Sequence, residues 1–410
     1  MVLLQAEKIV TDNEKMMIKK LCFDILFIIS ALAFFVTRYY TLYMQKNLLN
    51  KMDAEPIMTE YYNSCNLCPR RCGVNRYTNR GYCGEGAELR LACASIHRGE
   101  EPPVTGSGGS GTIFVSGCNL CCVFCQNYQI SQASVRDVKQ SDSAKPAVSE
   151  EQGTAIGRVV TNAEFAGICL ALEKHGAENI NIVTGSHVIP AIAAGIDAAR
   201  GSGLQIPVLW NTSSYENPET LELLRGRVSV FLPDLKTLDS NIAENFFNAP
   251  DYPEAASKAI LKMLDLANSN GIEGNQTYDK NKLIVRHLIL PGFLDSTKQV
   301  LKWFADNLSG KALLSLMTQY TPPAESCNSL SLNAARKNPA KLKKPLNYVS
   351  ESDYLTVIGW LDEFGIDDGF CQELVTGSDW LPDFNRINPF SSELSKPVWH
   401  WNCGFVDKLA

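Results

Sequence analysis

The 410-residue sequence has no surplus of charge of either sign: 38 basic against 44 acidic side chains leave a net charge of -6. A phosphate backbone is bound by a basic face or stripe, so the balance excludes nucleic acid as a primary partner. No internal repeat or long low-complexity tract is present, and the chain reads as globular. The one glycine-rich stretch, 106–111, lacks the Lys-Ser/Thr of a phosphate-binding loop and no helix signal follows it. It reads as a linker or loop delivering the chain into a strand.

Long hydrophobic runs are missing too. The strongly apolar run 21–36 is shorter than the roughly 20 residues that span a bilayer, and Asp24 interrupts it. No cleavage site or sustained positive flank accompanies it. Lys15, Lys19 and Lys20 before it are matched by Arg38, Lys46 and Lys51 after it, so the flanking charges set no orientation. Residues 1–57 therefore read as an extension that is either a membrane anchor through 21–36 or, with Met58 as a start, not part of the functional chain.

With 45% hydrophobic and 20% charged residues, the chain can bury a large core. Short β-branched runs at 112–116, 179–183, 206–210, 228–232, 283–290 and 312–317 predict strands. Helical patterns alternate with them: Thr161 to Glu164 is a capping box, and further helices are predicted near 189–200, 255–267 and 297–307. Alternation of this kind gives an α/β fold with a parallel sheet and right-handed crossovers, closed or partly closed as a barrel over 112–320. Chemistry in such barrels sits at the carboxyl ends of the strands. Residues 134–157 read as a surface loop. Residues 321–410 form a carboxyl-terminal extension whose tail, with Trp399, Trp401 and Cys403, is expected to pack on the barrel's open side.

Most of the 14 cysteines are bunched between Cys65 and Cys125. In a chain this long that indicates metal or cluster ligation rather than disulfides, and a reducing compartment, cytosol or organelle matrix. Cys118, Cys122 and Cys125 stand at C-x3-C-x2-C just past the first predicted strand. A [4Fe-4S] cube is usually held by four thiolates, so a loop supplying three leaves one iron open to an exogenous ligand. Cys121 adds a competing reading, since Cys118/Cys121 and Cys122/Cys125 are also two C-x2-C pairs of the kind that bind zinc. Cys121 is taken as structural.

The segment 114–127 resembles the radical S-adenosylmethionine (SAM) superfamily, and Phe124 stands where that family has an aromatic residue beside the adenine. Gly111-Thr-Ile-Phe114 and Cys125-Gln-Asn-Tyr-Gln-Ile-Ser131 look like a group related to pyruvate formate-lyase activating enzyme, and so do the strand-end segments 179–187, 210–215, 232–236, 285–292 and 315–320. The resemblance covers about residues 65–390 and implies a partial (β/α)6 barrel, a [4Fe-4S] cluster on Cys118, Cys122 and Cys125, and SAM on the open iron. It further implies a reductant such as flavodoxin or ferredoxin, hydrogen abstraction by a 5'-deoxyadenosyl radical, and a glycine in a partner protein as substrate. By matched position, Asn211 lies near the SAM ribose, Asp234 and Lys236 near its carboxylate and methionine, and Arg286 closes the site. Activating enzymes carry a Gly-Gly-Glu type segment at the second strand end, whereas this chain has Val183-Thr-Gly-Ser-His187. Thr184 and Ser186 then offer hydroxyls in its place, and His187 either faces substrate or is a hydrogen-bonded rim residue.

A second set, Cys65, Cys68, Cys72 and Cys83, lies in the cysteine-rich segment 58–111 at C-x2-C-x3-C-x10-C. Four thiolates close a site for zinc or for an auxiliary cluster. Two other readings compete with the enzyme: a zinc-binding adaptor that uses both sets structurally, and a membrane-anchored electron-transfer protein.

Overall fold

The computed structural model describes residues 60–120, 122–132, 156–268, 279–322, 347–375, 377, 378, 380–391 and 393–406, all within the unit Glu60–Ala410. The apolar run 21–36, Met58, Cys121 and most of the 134–157 loop lie outside them. Among the described residues no helix is long and apolar enough to cross a membrane.

The chain opens on a cysteine-rich cap and then enters strand β1 (Arg90–His97). Next come β2 (Ser110–Val115), the two-residue β3 (Arg158–Val159), β4 (Ile180–Val183), β5 (Val208–Thr212) and β6 (Val230–Pro233). The series ends with β7 (Ile284–Leu288), β8 (Leu313–Met317), β9 (Gly369–Cys371), β10 (Ser395–His400) and β11 (Gly404–Phe405). Each of the six predicted strands is present. β2, β4, β5 and β6 pair in parallel, as do β7, β8 and β9, and parallel bridges Phe231–Leu283 and Asp234–Arg286 join the two runs. The result is a partly closed α/β barrel.

Helices Asn162–Lys174, Ile189–Gly201, Tyr252–Asn268 and Leu294–Leu308 occupy the predicted places between strands. The Thr161 hydroxyl accepts the Glu164 N–H, as the capping box requires. Outward residues of the sheet, Trp210 and Phe231 among them, are fully buried with Phe165 and Ile192 from the helices in one core. Burying each large side chain of this kind stabilises the fold by about 2 kcal/mol.

Two expectations change. The 106–111 stretch is not a slack linker: the Glu178 carboxylate accepts N–H bonds from Ser107 and Gly108 at 3.2 and 2.8 Å. A Cβ on Gly108 would lie 2.0 Å from the Gly176 carbonyl oxygen, so glycine is there for close approach. The carboxyl-terminal tail is more than a packed-on segment: its β10 pairs antiparallel with β1, which extends the sheet beyond β2. Just before it, Phe384 and Phe390 pack on Phe114 at ring-centroid distances of 5.4 Å.

The amino-terminal half of the barrel interior is filled. Val104, on a short helix Pro102–Thr105, packs among Leu209, Leu232, Ile284 and Leu313 from four successive strands. Above it, Glu100 and Glu101 meet Arg286 in the interior.

Candidate active site at the strand ends

The loop leaving β2 is held in place by backbone and amide contacts. Gly117 adopts φ 84°, donates to the Ile130 carbonyl at 2.9 Å, and leaves no room for a side chain: a Cβ would lie 2.5 Å from Glu85 and 2.9 Å from His187 Nε2. Asn119 donates to the Tyr215 carbonyl at 2.7 Å, Gln132 to the Cys122 carbonyl at 2.8 Å, and Val123 N–H to the Phe246 carbonyl at 3.0 Å. Each bond ties the loop to a different element.

Cys118 and Cys122 are buried and Cys125 is half-buried, and none forms a disulfide. Burial pushes the Cys125 thiol up to about 11, the Cys118 sulfur adds to this, and Lys236 opposes it. Lys236 interacts with Cys122 as well. Burial disfavours the Lys236 charge, but Asp234 and Cys122 outweigh it and hold its pKa above the ordinary lysine value. Among the described residues no three His, Cys, Asp or Glu side chains are drawn closely enough to hold one metal ion. Three thiols on one loop, facing a lysine and able to bond several irons rather than one, fit a cluster with an open corner.

The other strand ends surround this loop. Lys236 Nζ pairs with Asp234 Oδ2 at 2.6 Å, both partly exposed at 17 and 22%. The Tyr252 hydroxyl accepts the Lys236 N–H at 3.0 Å and lies 2.9 and 3.0 Å from the Asp234 and Ser213 carbonyls, which pins this strand end. Asn211 is half-buried at the end of β5, and its carbonyl accepts the Thr184 N–H at 2.9 Å. Thr184 adopts φ 62° and Ser214 φ 65°, left-handed conformations that cost residues with a side chain roughly 1–3 kcal/mol each. Phe124 packs among Phe246, Phe247 and Tyr320 at 5.8–5.9 Å.

Thr184, Asn211, Asp234 and Lys236 thus stand at neighbouring strand ends, with Cys122 and Cys125 within the electrostatic reach of Lys236. Three other predicted residues are engaged differently. Arg286 is bridged across the sheet to Asp234 and lies within its electrostatic reach, but its guanidinium is taken up by two carboxylates, donating from Nε to Glu101 at 2.8 Å and from Nη2 to Glu100 at 2.6 Å. Ser186 is buried, with its hydroxyl 3.2 Å from that of Thr212 and bonded to Glu216. His187 faces no substrate space; its Nε2 lies 2.8 Å from the Ser116 carbonyl, its buried Nδ1 has no partner, and burial lowers its pKa to about 3.

Sequence reasoning missed Glu216 and Tyr252. Glu216 is fully buried, accepts from Trp210 Nε1 at 3.0 Å, and burial raises its pKa to about 7. Its only local signal is an acidic residue six positions after a strand tryptophan.

Residues 112–304 match the family model described as the Radical SAM superfamily. The barrel is a radical SAM domain. That family implies an enzyme with a [4Fe-4S] cluster and SAM, which agrees with the three-thiol loop at the end of β2. The chain is also 29% identical over 281 residues to the uncharacterized protein MJ0674 of Methanocaldococcus jannaschii, covering 68% of this chain and 72% of that one. Among solved structures, Streptococcus suis SuiB is similar over 62% of this chain and 47% of SuiB, with a TM-score of 0.35 and 13% identity. The chain thus spans about half the length of SuiB.

Proposed function

We propose that this radical SAM enzyme cleaves SAM reductively and uses the resulting radical to take a hydrogen atom from its substrate. The observation that carries this reading is the loop of Cys118, Cys122 and Cys125 set against the Asp234–Lys236 pair at the barrel's carboxyl end. Cys118, Cys122 and Cys125 would hold the cluster, which would supply the electron for reductive cleavage of SAM and so the hydrogen-abstracting chemistry.

The chain's own residues bind and orient. Lys236 carries the compact ammonium that a SAM carboxylate needs, with Asp234 fixing its direction. Asn211 offers an amide to the ribose, and the strained Thr184 presents its hydroxyl where activating enzymes hold the SAM amino group. Phe124, braced by three aromatic rings, offers a face and edge to adenine. Arg286 acts from below, keeping the charged floor of the pocket neutralised. A reductant of the flavodoxin or ferredoxin type supplies the electron, and a glycine in a partner protein is the substrate that the sequence likeness to activating enzymes favours.

Anaerobic reconstitution with iron and sulfide, addition of SAM and dithionite, and chromatography for 5'-deoxyadenosine test the reading. Formation of 5'-deoxyadenosine supports it. A fully loaded cluster that leaves SAM intact overturns it.

A further inference from the structure

The cap, residues 60–89, has almost no hydrophobic core of its own. Its buried cluster is Tyr62, Cys65 and Leu67, with Tyr61, Cys72, Val74 and Ala87 half-buried around them. A segment of this size and composition needs a cross-link to hold one shape. No disulfide joins the cap's cysteines: Cys65, Cys68, Cys72 and Cys83 are all free.

These four thiols lie in one part of the cap, though no three are close enough to hold a single metal ion. A tight turn brings the Arg71 N–H to the Cys68 carbonyl at 3.0 Å, and a second brings the Gly84 N–H to the Gly81 carbonyl at 2.9 Å, placing Cys83 at its tip. The Cys83 and Cys72 sulfurs flank Gly81, 3.2 and 3.6 Å from where its Cβ would be. Cys68 interacts with Cys65 and Cys72, and Cys83 with Cys68.

A cation sits among them, with the buried Glu85 carboxylate within its electrostatic reach. Arg76 is 2% exposed, and its guanidinium donates to the carbonyls of Glu85, His187 and Gly86 and to Cys65 Sγ at 3.8 Å. The Glu85 carboxylate is shared with Arg90, which it meets at 3.3 Å. A buried charge needs a counter-charge. Cys65 and Cys83 lie within reach of Arg76 as well, and as thiolates on a metal centre they would add negative charge beside it.

The cap also presses on the loop of the first cluster. Arg70, between Cys68 and Cys72, donates to the Asn119 carbonyl at 2.8 Å and the Phe247 carbonyl at 2.9 Å. The Asn119 side chain bonds the Cys68 thiol, and Asn119 is the residue after Cys118. The spacing admits a cluster: three close thiols plus one distant are a pattern of iron-sulfur proteins. Thiols too far apart to share one ion fit several irons better than a single zinc.

We infer that Cys65, Cys68, Cys72 and Cys83 hold a second iron-sulfur cluster, packed through Asn119 against the loop that carries the first. This rests on the first reading only in taking Cys118, Cys122 and Cys125 as cluster ligands. With all four thiolates supplied by the protein, it has no open iron for SAM. Its chemistry is one-electron transfer: an electron taken from an external ferredoxin-type reductant passes to the first cluster, and the second returns to its starting state with no bond made or broken.

Metal analysis of the anaerobically reconstituted full chain tests this without any activity assay. The expected content is about eight iron and eight sulfide per chain, twice that of one [4Fe-4S] cluster. Cys118→Ala/Cys122→Ala/Cys125→Ala should keep half of the iron, and Cys68→Ser/Cys83→Ser should lose half. About four iron in the full chain, or zinc in place of iron in the triple variant, overturns the inference. If the triple variant fails to fold, the magnetic resonance spectrum of the dithionite-reduced full chain decides. Signals broadened by coupling between two reduced clusters support the proposal, and a single uncoupled signal refutes it. Failure to cleave SAM would sink the proposed activity and leave these metal counts unchanged.

Discussion

Arg286→Met is the sharpest perturbation of the barrel, because the likeness to activating enzymes and the geometry give Arg286 different work. In the structure its side chain is 10% exposed and pairs with Glu100 and Glu101, which are 14 and 8% exposed. Glu100 also accepts from Asn181 Nδ2 at 3.1 Å, and Ser315 bonds Glu101. Burial alone would raise the Glu101 pKa, but the Arg286 charge beside it brings it below the usual carboxylate value. Methionine fills similar volume and leaves two buried carboxylates without a cation, a change that costs about 3–5 kcal/mol. The sign with pH follows. Glu101's folded pKa is depressed, so its contribution is present above the unfolded value and lost as pH falls through the folded one. The deficit of Arg286→Met should therefore be full near neutral pH and shrink on acidification, as the Glu101 carboxyl protonates. Urea unfolding at several pH values measures this. Adding Glu100→Gln and Glu101→Gln to Arg286→Met should restore most of the loss, with SAM affinity close to that of the parent. An unchanged urea midpoint in Arg286→Met together with SAM binding weakened tenfold or more would refute the clamp and return Arg286 to the ligand pocket.

Three further outcomes are expected. Glu216 has a folded pKa raised by burial from 4.5 to about 7, so the folded state binds the extra proton and stability falls as pH rises through that window, by about 3 kcal/mol. Glu216→Gln should flatten this part of the unfolding profile; parallel profiles for parent and variant from about pH 4 to pH 8 would show that the carboxyl titrates normally. Lys236→Met should weaken SAM binding about 10–100-fold, the worth of a charged hydrogen bond, while iron content stays constant. Unaltered affinity by calorimetry would make Lys236 a partner of Asp234 and the cysteines only. Thr184→Gly relieves a left-handed threonine and should stabilise the fold by about 1 kcal/mol. If the Thr184 hydroxyl holds SAM, affinity should fall in the same variant, and stability and affinity moving together would argue against it.

The barrel was legible because its strands announce themselves locally. Runs such as Ile180–Val183 and Leu313–Met317 are buried almost throughout, as parallel strands flanked by helices must be, and so read as apolar stretches interrupted only by Asn181 and Ser315. The three-thiol loop was legible for a similar reason, since ligand spacing is a property of a few adjacent residues. β1 was not. Its Leu-Ala-Cys-Ala-Ser-Ile core belongs to a strand wholly buried between β2 and β10, yet nothing nearby tells which partner will cover it. The Arg286 clamp joins residues 185 and 186 positions apart, and such a pairing leaves no trace in any local window. Ser186 was misplaced because its partners, Thr212 and Glu216, lie far along the chain on and after β5, whereas His187 takes the hydrogen-bonded one of its two readings, on the Ser116 carbonyl.

The two ends of the barrel interior are built for opposite purposes, and that contrast locates the chemistry without appeal to any relative. At the amino-terminal end Val104 closes the interior with an apolar layer, and the Glu100–Glu101–Arg286 cluster above it satisfies its own charges. At the carboxyl end the polar groups are partly exposed and unevenly satisfied: Lys236 keeps donors beyond Asp234, and Thr184 and Ser214 hold strained backbones. Strain of this kind persists only where surrounding structure enforces it. Here the enforcement comes from outside the barrel. Arg70 of the cap, Gln132 and the carbonyl of Phe246 fix the cysteine loop, so its three thiols are positioned by contacts that do not depend on a cluster being present. An enzyme that must keep one iron accessible while excluding water gains from this arrangement, because the ligand loop need not reorganise when SAM arrives and leaves.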